Sequence, residues 1–94
     1  MKALGMVETR GMVPAVEAVD TMMKSANVEV LSVKEIGGGL VSVYVQGDVG
    51  AVKQAVDAAA ESVKKIGELV AVHMISRPNS ETLELFPEML KSKG

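Results

Sequence analysis

The sequence predicts an α+β fold in which a four-stranded antiparallel sheet carries two helices on one face. Four short segments have the β-branched or alternating character of strands, at residues 3–9, 28–37, 40–47 and 68–76. Two longer segments between them place apolar residues at helical spacing. The resulting order, β-α-β-β-α-β, is that of the ferredoxin-like arrangement, in which two β-α-β halves lie antiparallel.

The first strand, residues 3–9, has apolar residues on both faces, so we expect it in the centre of the sheet. The first helix is predicted over residues 11–26 because apolar residues recur there at helical spacing. Pro14 is compatible with this helix because it lies in the first turn. Its expected core face consists of Met12, Ala15, Val16, Val19, Met22, Met23 and Ala26. Asn27 is expected to follow the end of this helix.

The next two strands are joined by three consecutive glycines at positions 37–39 and predict a hairpin. In the second of these strands valines alternate with more polar residues, as in a sheet with one buried face. A second helix follows Asp48, a good N-cap residue, and Gly67 is the expected C′ stop. Its apolar positions are Val49, Val52, Ala55, Val56, Ala59, Ala60 and Val63.

The last strand, residues 68–76, is expected at an edge of the sheet. It carries no charge between Leu69 and Met74, so a lone chain would expose an apolar edge that something should cover. After it we predict a short helix over residues 79–87 and a mobile tail over 88–94. The whole chain, residues 1–94, is expected to be one domain with its core in 1–78.

The amino-acid composition excludes several classes of function. Hydrophobic residues make up 48% of the 94 residues but aromatic residues only 2%, which predicts a thin core that gains stability by oligomerising. A net charge of −2 with scattered basic residues argues against nucleic acid as a partner. The absence of cysteine fits a reducing compartment, and no apolar run indicates export or membrane insertion. We therefore expect a soluble, cytoplasmic protein.

Catalytic chemistry is weakly supported. His73 is the only histidine and has no metal-type partner at useful spacing. Arg10 precedes a helix N-terminus, where an anion could bind, and this placement resembles that of acylphosphatase. Acylphosphatase has a glycine-rich phosphate-binding loop and a carboxamide on the hairpin strands that positions water. Here the loop has one glycine and the hairpin offers only Gln46, so we favour structural capping over catalysis. The acidic residues are scattered over different elements, and we expect no enzyme activity, cofactor or metal.

Three stretches, "ALGMVETRGMVPAVEAVDTMMKSANV", "KEIGGGLVSVYVQGDVGAVKQAVDAAAE" and "IGELVAVHMISRPN", together resemble the hexamer-forming shell proteins of bacterial microcompartments. The chain is most similar to the major hexamers of propanediol- and ethanolamine-utilisation compartments and less so to those of carboxysomes. The resemblance implies a structural subunit in a compartment shell, whose cyclic hexamers tile into sheets. The implied partners are other copies of the chain, other shell proteins, enclosed enzymes and small metabolites that cross a central pore.

In that family a "GxG" tip lines the pore, which corresponds here to Gly37, Gly38 and Gly39, with Gly38 at the narrowest point. Glu35 stands where many relatives carry Lys or Gln, so a ring of carboxylates is expected to make the pore less favourable to anions. Alternatively, Glu35 is a solvated charge beside the pore.

The resemblance also implies contacts between neighbouring hexamers. Lys24, which forms an i,i+4 pair with Asp20, matches the family's edge lysine, and Asn27 occupies the usual polar place after it. Arg77 matches the arginine of the family's "RPH" segment, in which Asn79 here replaces the common His.

Two other classes of function stay open at this point. One is a ferredoxin-like regulatory module that binds a metabolite between the subunits of a dimer or trimer. The other is an acylphosphatase-like hydrolase, whose turnover would depend on Arg10.

Overall fold

A computed structural model of the protein describes residues 2–76. The predicted order of elements is confirmed: β1 Lys2–Arg10, α1 Met12–Ser25, β2 Glu29–Gly37, β3 Leu40–Asp48, α2 Val49–Lys64 and β4 Leu69–Ser76. The helix predicted over 79–87, the tail over 88–94, and the edge residues Arg77 and Asn79 lie outside the described residues. Within residues 2–76 no helix is long and apolar enough to span a membrane.

The sheet has the strand order β2-β3-β1-β4, and all its neighbouring strands are antiparallel. This is the ferredoxin-like order that the sequence predicts. β1 is central, as expected from its two apolar faces, and β4 lies at one edge. β2 forms the other edge, so this part of the chain leaves two strands without a partner on their outer sides.

The core lies between the sheet and the two helices and is built from small side chains, of which Met22 is the largest. Gly5 in β1 brings α2 close to the sheet, since a Cβ there would lie 2.8 Å from Val52 Cγ1 and 2.9 Å from Val56 Cγ2. The buried cluster consists of Ala3, Val7, Ala15, Ala18, Met22, Val41, Val43, Val45, Val52, Ala55, Val56, Ala59 and Val63.

The buried face of α1 differs from the predicted one. Met12, Val16 and Met23 are exposed by 43%, 59% and 61%, whereas the buried residues of the helix are Pro14, Ala15, Ala18 and Met22. The small alanine side chains let α1 approach both α2 and the sheet closely. Met12, Val16 and Met23 therefore point away from the core, whereas Met22 packs into it.

The predicted core face of α2 is confirmed at five of its seven positions, Val52, Ala55, Val56, Ala59 and Val63. Val49 packs against the core, whereas Ala60 is half-buried. The predicted role of Gly67 as a C′ stop is wrong. The helix ends at Lys64, and Gly67 does not have a left-handed backbone. A Cβ at position 67 would lie 3.0 Å from the ring of Pro14, so this glycine permits the turn after α2 to pack against α1.

Candidate functional site: the glycine tip

The tip of the β2–β3 hairpin is a two-residue turn formed by Gly38 and Gly39. Gly37 pairs with Leu40 across the turn. The φ angles of Gly38 and Gly39 are 64° and 81°, and a type I′ turn requires positive φ at both central positions. Glycine adopts this backbone without the steric cost that a side chain would add.

The third glycine, Gly37, has a separate geometric role. The register shifts between Glu35, which pairs with Val41, and Gly37, so that Ile36 is an extra residue in β2. Gly37 follows this bulge with a φ of 97°. No atom lies within 4 Å of the position that a Cβ would take at any of the three glycines. The tip, defined here as residues 37–39, is therefore an exposed projection of bare backbone.

Four hydrogen bonds hold the tip and its surroundings against the rest of the domain. The Gly11 amide donates to the Gly39 carbonyl oxygen at 2.7 Å, and Arg10 Nη1 donates to the Gly38 carbonyl oxygen at 3.3 Å. Arg10 Nε lies 2.9 Å from Glu68 Oε1, and the Arg10 amide donates to the Glu68 carbonyl oxygen at 3.1 Å. The tip is thus linked to the start of α1 and, through Arg10, to the start of β4.

The sequence analysis considered Arg10 for anion binding and hydrolysis only, and it missed both Glu68 and the link of this pair to the tip. Arg10 was expected to serve structural capping, but the N-cap of α1 is Gly11 and α1 receives no side-chain cap. No role was predicted for Glu68. The antiparallel pairing of β1 with β4 places the end of one strand beside the start of the other, and this topology is the signal that could have found the pair.

Glu35 lies in β2, three residues before Gly38, and is exposed. Its carboxylate makes neither a hydrogen bond nor an ion pair with another residue among 2–76. The charged groups next to the tip are therefore one paired cation, Arg10, its partner Glu68, and one carboxylate with no protein partner in this range, Glu35.

An apolar patch adjoins the tip and is defined by Met12, Val13, Val16 and Ile66, which are 43–74% exposed. Together with Glu17 and Asp20 they line an open depression of about 470 Å³. Because Met12 follows Gly11, whose amide binds Gly39, the patch lies at the tip end of α1. These four neighbouring apolar side chains form a surface that another molecule could cover.

Lys24 lies at the opposite end of α1 from the tip, about 18 Å along the helix axis from Met12. Its Nζ is 3.0 Å from Asp20 Oδ2, which confirms the i,i+4 pair, and its side chain is 76% exposed. Asn27 follows the end of the helix and is also exposed. The two predicted edge residues that are described therefore lie together, far from the tip.

The arrangement does not favour a hydrolase. Arg10 pairs with Leu40 across β1 and β3, whereas Gln46 pairs with Leu4, which puts the two functional groups about 20 Å apart along the strands. The Gln46 amide donates to Glu29 at 2.7 Å. His73 is exposed in β4, and no group of three or more acidic or histidine side chains among residues 2–76 could hold a metal.

Among residues 2–76 both edge strands of the ferredoxin-like sheet lack a partner on their outer sides, and this favours a small domain that assembles with others. The chain belongs to the BMC domain family, which matches residues 3–78. It is 54% identical over 91 residues to the bacterial microcompartment shell protein EutM of Escherichia coli K12, covering 97% of this chain and 94% of the relative. It is 52% identical over 87 residues to the shell protein PduA of Citrobacter freundii, covering 93% and 94%.

A carboxysome protein and a solved structure extend this relationship. The carboxysome shell protein CsoS1A of Hydrogenovibrio crunogenus is 52% identical over 80 residues, with 84% of this chain and 83% of the relative covered. A crystal structure of a microcompartment protein from Desulfitobacterium hafniense has a TM-score of 0.78 and 27% identity. That match covers 86% of this chain and 44% of the other, so the chain spans less than half of that protein.

Proposed function

We propose that this chain is a non-enzymatic building block of a bacterial microcompartment shell in the cytoplasm. Six copies form a flat ring, rings meet at their rims to form a sheet, and the six tips surround a central pore. The observation that carries the proposal is a tip of bare backbone, held in a defined conformation at one end of a domain whose relatives are shell proteins. Its partners are other copies of itself and other shell proteins, and the sheet encloses enzymes.

The surfaces of the domain support a ring. Both edge strands, β2 and β4, offer hydrogen-bonding groups on their outer sides to a neighbour. In a ring whose hub is the tip, the apolar patch lies close to the hub, where adjacent copies converge. A closed ring of head-to-tail contacts would cover such surfaces in every copy and leave no free end.

The size of the purified particle tests this assembly. Native mass spectrometry is expected to give a closed six-chain species, and electron micrographs are expected to show sheets or tubes. A discrete dimer or trimer with saturable binding of a small metabolite would instead support the regulatory module. A persistent monomer at high concentration would contradict the ring.

The pore part of the proposal concerns Gly37, Gly38, Gly39 and Glu35. Small metabolites pass between the tips, and six Glu35 carboxylates make passage less favourable to anions. Glu35→Lys is expected to raise the flux of a small anion through reconstituted sheets relative to a neutral molecule of similar size, with Glu35→Gln as the charge-removed control. Equal anion flux in all three proteins would show that Glu35 is a solvated charge with no effect on passage.

The rim part of the proposal concerns Lys24, Asn27, Arg77 and Asn79. Lys24 and Asn27 are exposed at the end of α1 opposite the tip, so they would lie at the outside of a ring centred on the tips. We assign Arg77 and Asn79 to the same contact on the basis of family resemblance. An exposed lysine at this place could bind carbonyl groups of a neighbouring ring, since its ammonium group carries three donors.

A further inference from the structure

We propose that Arg10 fixes the orientation of the Gly38–Gly39 peptide and thereby sets which solutes the tip favours. This inference rests on the proposed pore. The direct contacts behind it lie within one chain: Arg10 Nη1 donates to the Gly38 carbonyl oxygen at 3.3 Å, while Arg10 Nε is held by Glu68 at 2.9 Å. Arg10 is a positioning residue in this proposal, and Glu68 holds it in place.

The orientation follows from the planarity of the peptide group. In a trans peptide the carbonyl and the amide N–H of the same unit point in opposite directions. The Gly38 carbonyl points toward Arg10, which is anchored on the body of the domain by the pairing of β1 with β4. The Gly39 N–H, which belongs to the same peptide, therefore points away from Arg10 and outward from the domain. Each chain offers a hydrogen-bond donor to whatever passes its tip.

Two glycines make this orientation easy to reverse. Rotating the central peptide of a type I′ turn gives a type II′ turn, in which φ is positive at the first central residue only. Glycine occupies both central positions here, so neither state carries the steric cost of a side chain. The observed φ of 81° at Gly39 identifies the I′ state. In the II′ state the Gly38 carbonyl would point outward, and the tip would offer an acceptor in place of a donor.

The Arg10 side chain suits this task better than a lysine would. Its planar guanidinium presents several donors in a fixed fork, so one side chain can bind the Glu68 carboxylate and the Gly38 carbonyl at once. A lysine keeps the positive charge but lacks the fork. An exposed hydrogen bond of 3.3 Å from a charged group can shift the ratio of I′ to II′ turns by about threefold to tenfold.

The first test is structural. The φ angle of Gly39 is to be compared between crystal structures of wild type and Arg10→Gln. Nuclear magnetic resonance of glycine-labelled protein can follow the same φ angle in solution. We expect positive φ at Gly39 in the wild type and a substantial population with negative φ in the variant. Gly38→Asn in the Arg10→Gln background should restore positive φ, since Asn-Gly strongly favours a type I′ turn. Unchanged positive φ in Arg10→Gln would overturn the proposal.

The second test is functional and separates orientation from charge. The flux of acetate relative to acetamide through reconstituted sheets is expected to fall about threefold to tenfold in both Arg10→Gln and Arg10→Lys, since both lose the fork. The matched control is Lys53→Gln on α2, which removes a cation from an exposed ion pair of 2.9 Å with Asp57 and leaves the tip untouched. The control should match wild type.

If Arg10→Lys behaves as wild type while Arg10→Gln does not, charge alone is responsible and the proposal is wrong. If the wild-type protein forms no ring or passes no solute, the proposed function fails. The φ angle at Gly39 still tests the role of Arg10 in that case, because the hydrogen bonds concerned lie within a single chain.

Discussion

Replacing Gly5 with alanine tests the closest contact between the sheet and α2. The added Cβ would lie 2.8 Å from Val52 and 2.9 Å from Val56, well inside the usual carbon–carbon contact distance. Both valines are β-branched residues in a helix with one strongly preferred side-chain conformation, so α2 itself must move away from the sheet. Overpacking of this kind costs about 1–3 kcal/mol.

Part of that cost is offset because alanine reduces the conformational freedom of the unfolded chain, by about 0.4–1 kcal/mol. The expected net loss of stability is therefore centred on about 1.3 kcal/mol, with an upper end of about 2.6 kcal/mol. The central value lowers the melting temperature by about 5–10 °C in a domain of this size. Calorimetry or circular dichroism measures it. All proteins must be compared at equal concentration, because assembly also stabilises the folded chain.

Gly50→Ala is the matched control. Gly50 is exposed in the first turn of α2, and a Cβ there would meet no atom within 4 Å. Alanine is the better helix former, by less than the roughly 1 kcal/mol seen in helix interiors, so this variant should melt at or slightly above the wild-type temperature. If Gly5→Ala melts at or above the wild-type temperature while Gly50→Ala behaves as expected, the close approach of α2 to β1 is wrong.

Three further predictions concern the tip, the apolar patch and the rim. Gly37→Val places a β-branched residue at a φ of 97° and should lower the free energy of unfolding by about 1–3 kcal/mol; an unchanged denaturation midpoint would contradict the strained backbone. Val16→Lys should keep the circular dichroism spectrum of the fold but shift native mass spectra from six chains to fewer, whereas Glu61→Lys, exposed elsewhere, should not. Lys24→Ala should leave rings intact and weaken sheet formation in electron micrographs, and loss of the ring itself would mean that Lys24 is misplaced.

The order of elements and the core face of α2 could be predicted from the sequence because both depend on the spacing of apolar residues within each element. In α2 the valines and alanines fall on one stripe, with charged residues on the other sides, so only one face can be buried. The central place of β1 followed in the same way from apolar residues on both faces. In these elements local pattern and tertiary packing agree.

The buried face of α1 could not be predicted because apolar residues surround more than half of the helix. Periodicity alone does not distinguish a stripe through Met12 and Val16 from one through Ala15 and Ala18. The structure buries Ala15, Ala18 and Met22, and this choice depends on how α1 packs against α2 and the sheet. Gly67 was misread for a related reason, since its lack of a side chain serves the contact with Pro14 rather than a left-handed helix end.

The Arg10–Glu68 pair spans 58 positions in the sequence and is created by the sheet. Each residue alone resembles an ordinary exposed charge at the end of a strand. Only the antiparallel register of β1 and β4 makes them neighbours, and only the hairpin brings the Gly38 carbonyl within reach of the same guanidinium. The position of the glycine tip was predictable, whereas the side chain that orients it was not.

In the proposed pore, whose lining would be glycine backbone, the selectivity between solutes would depend on two influences of different range. The outward Gly39 N–H acts on a solute in direct contact, and salt screens such a contact little. Glu35 is an exposed charge that acts through solvent, where screening reduces interactions beyond about 8 Å at physiological ionic strength. Raising the salt concentration should therefore diminish the effect of Glu35→Lys on anion flux while preserving most of the effect of Arg10→Gln. If the two effects decline in parallel, both residues act only through their charge, and peptide orientation does not contribute to selectivity.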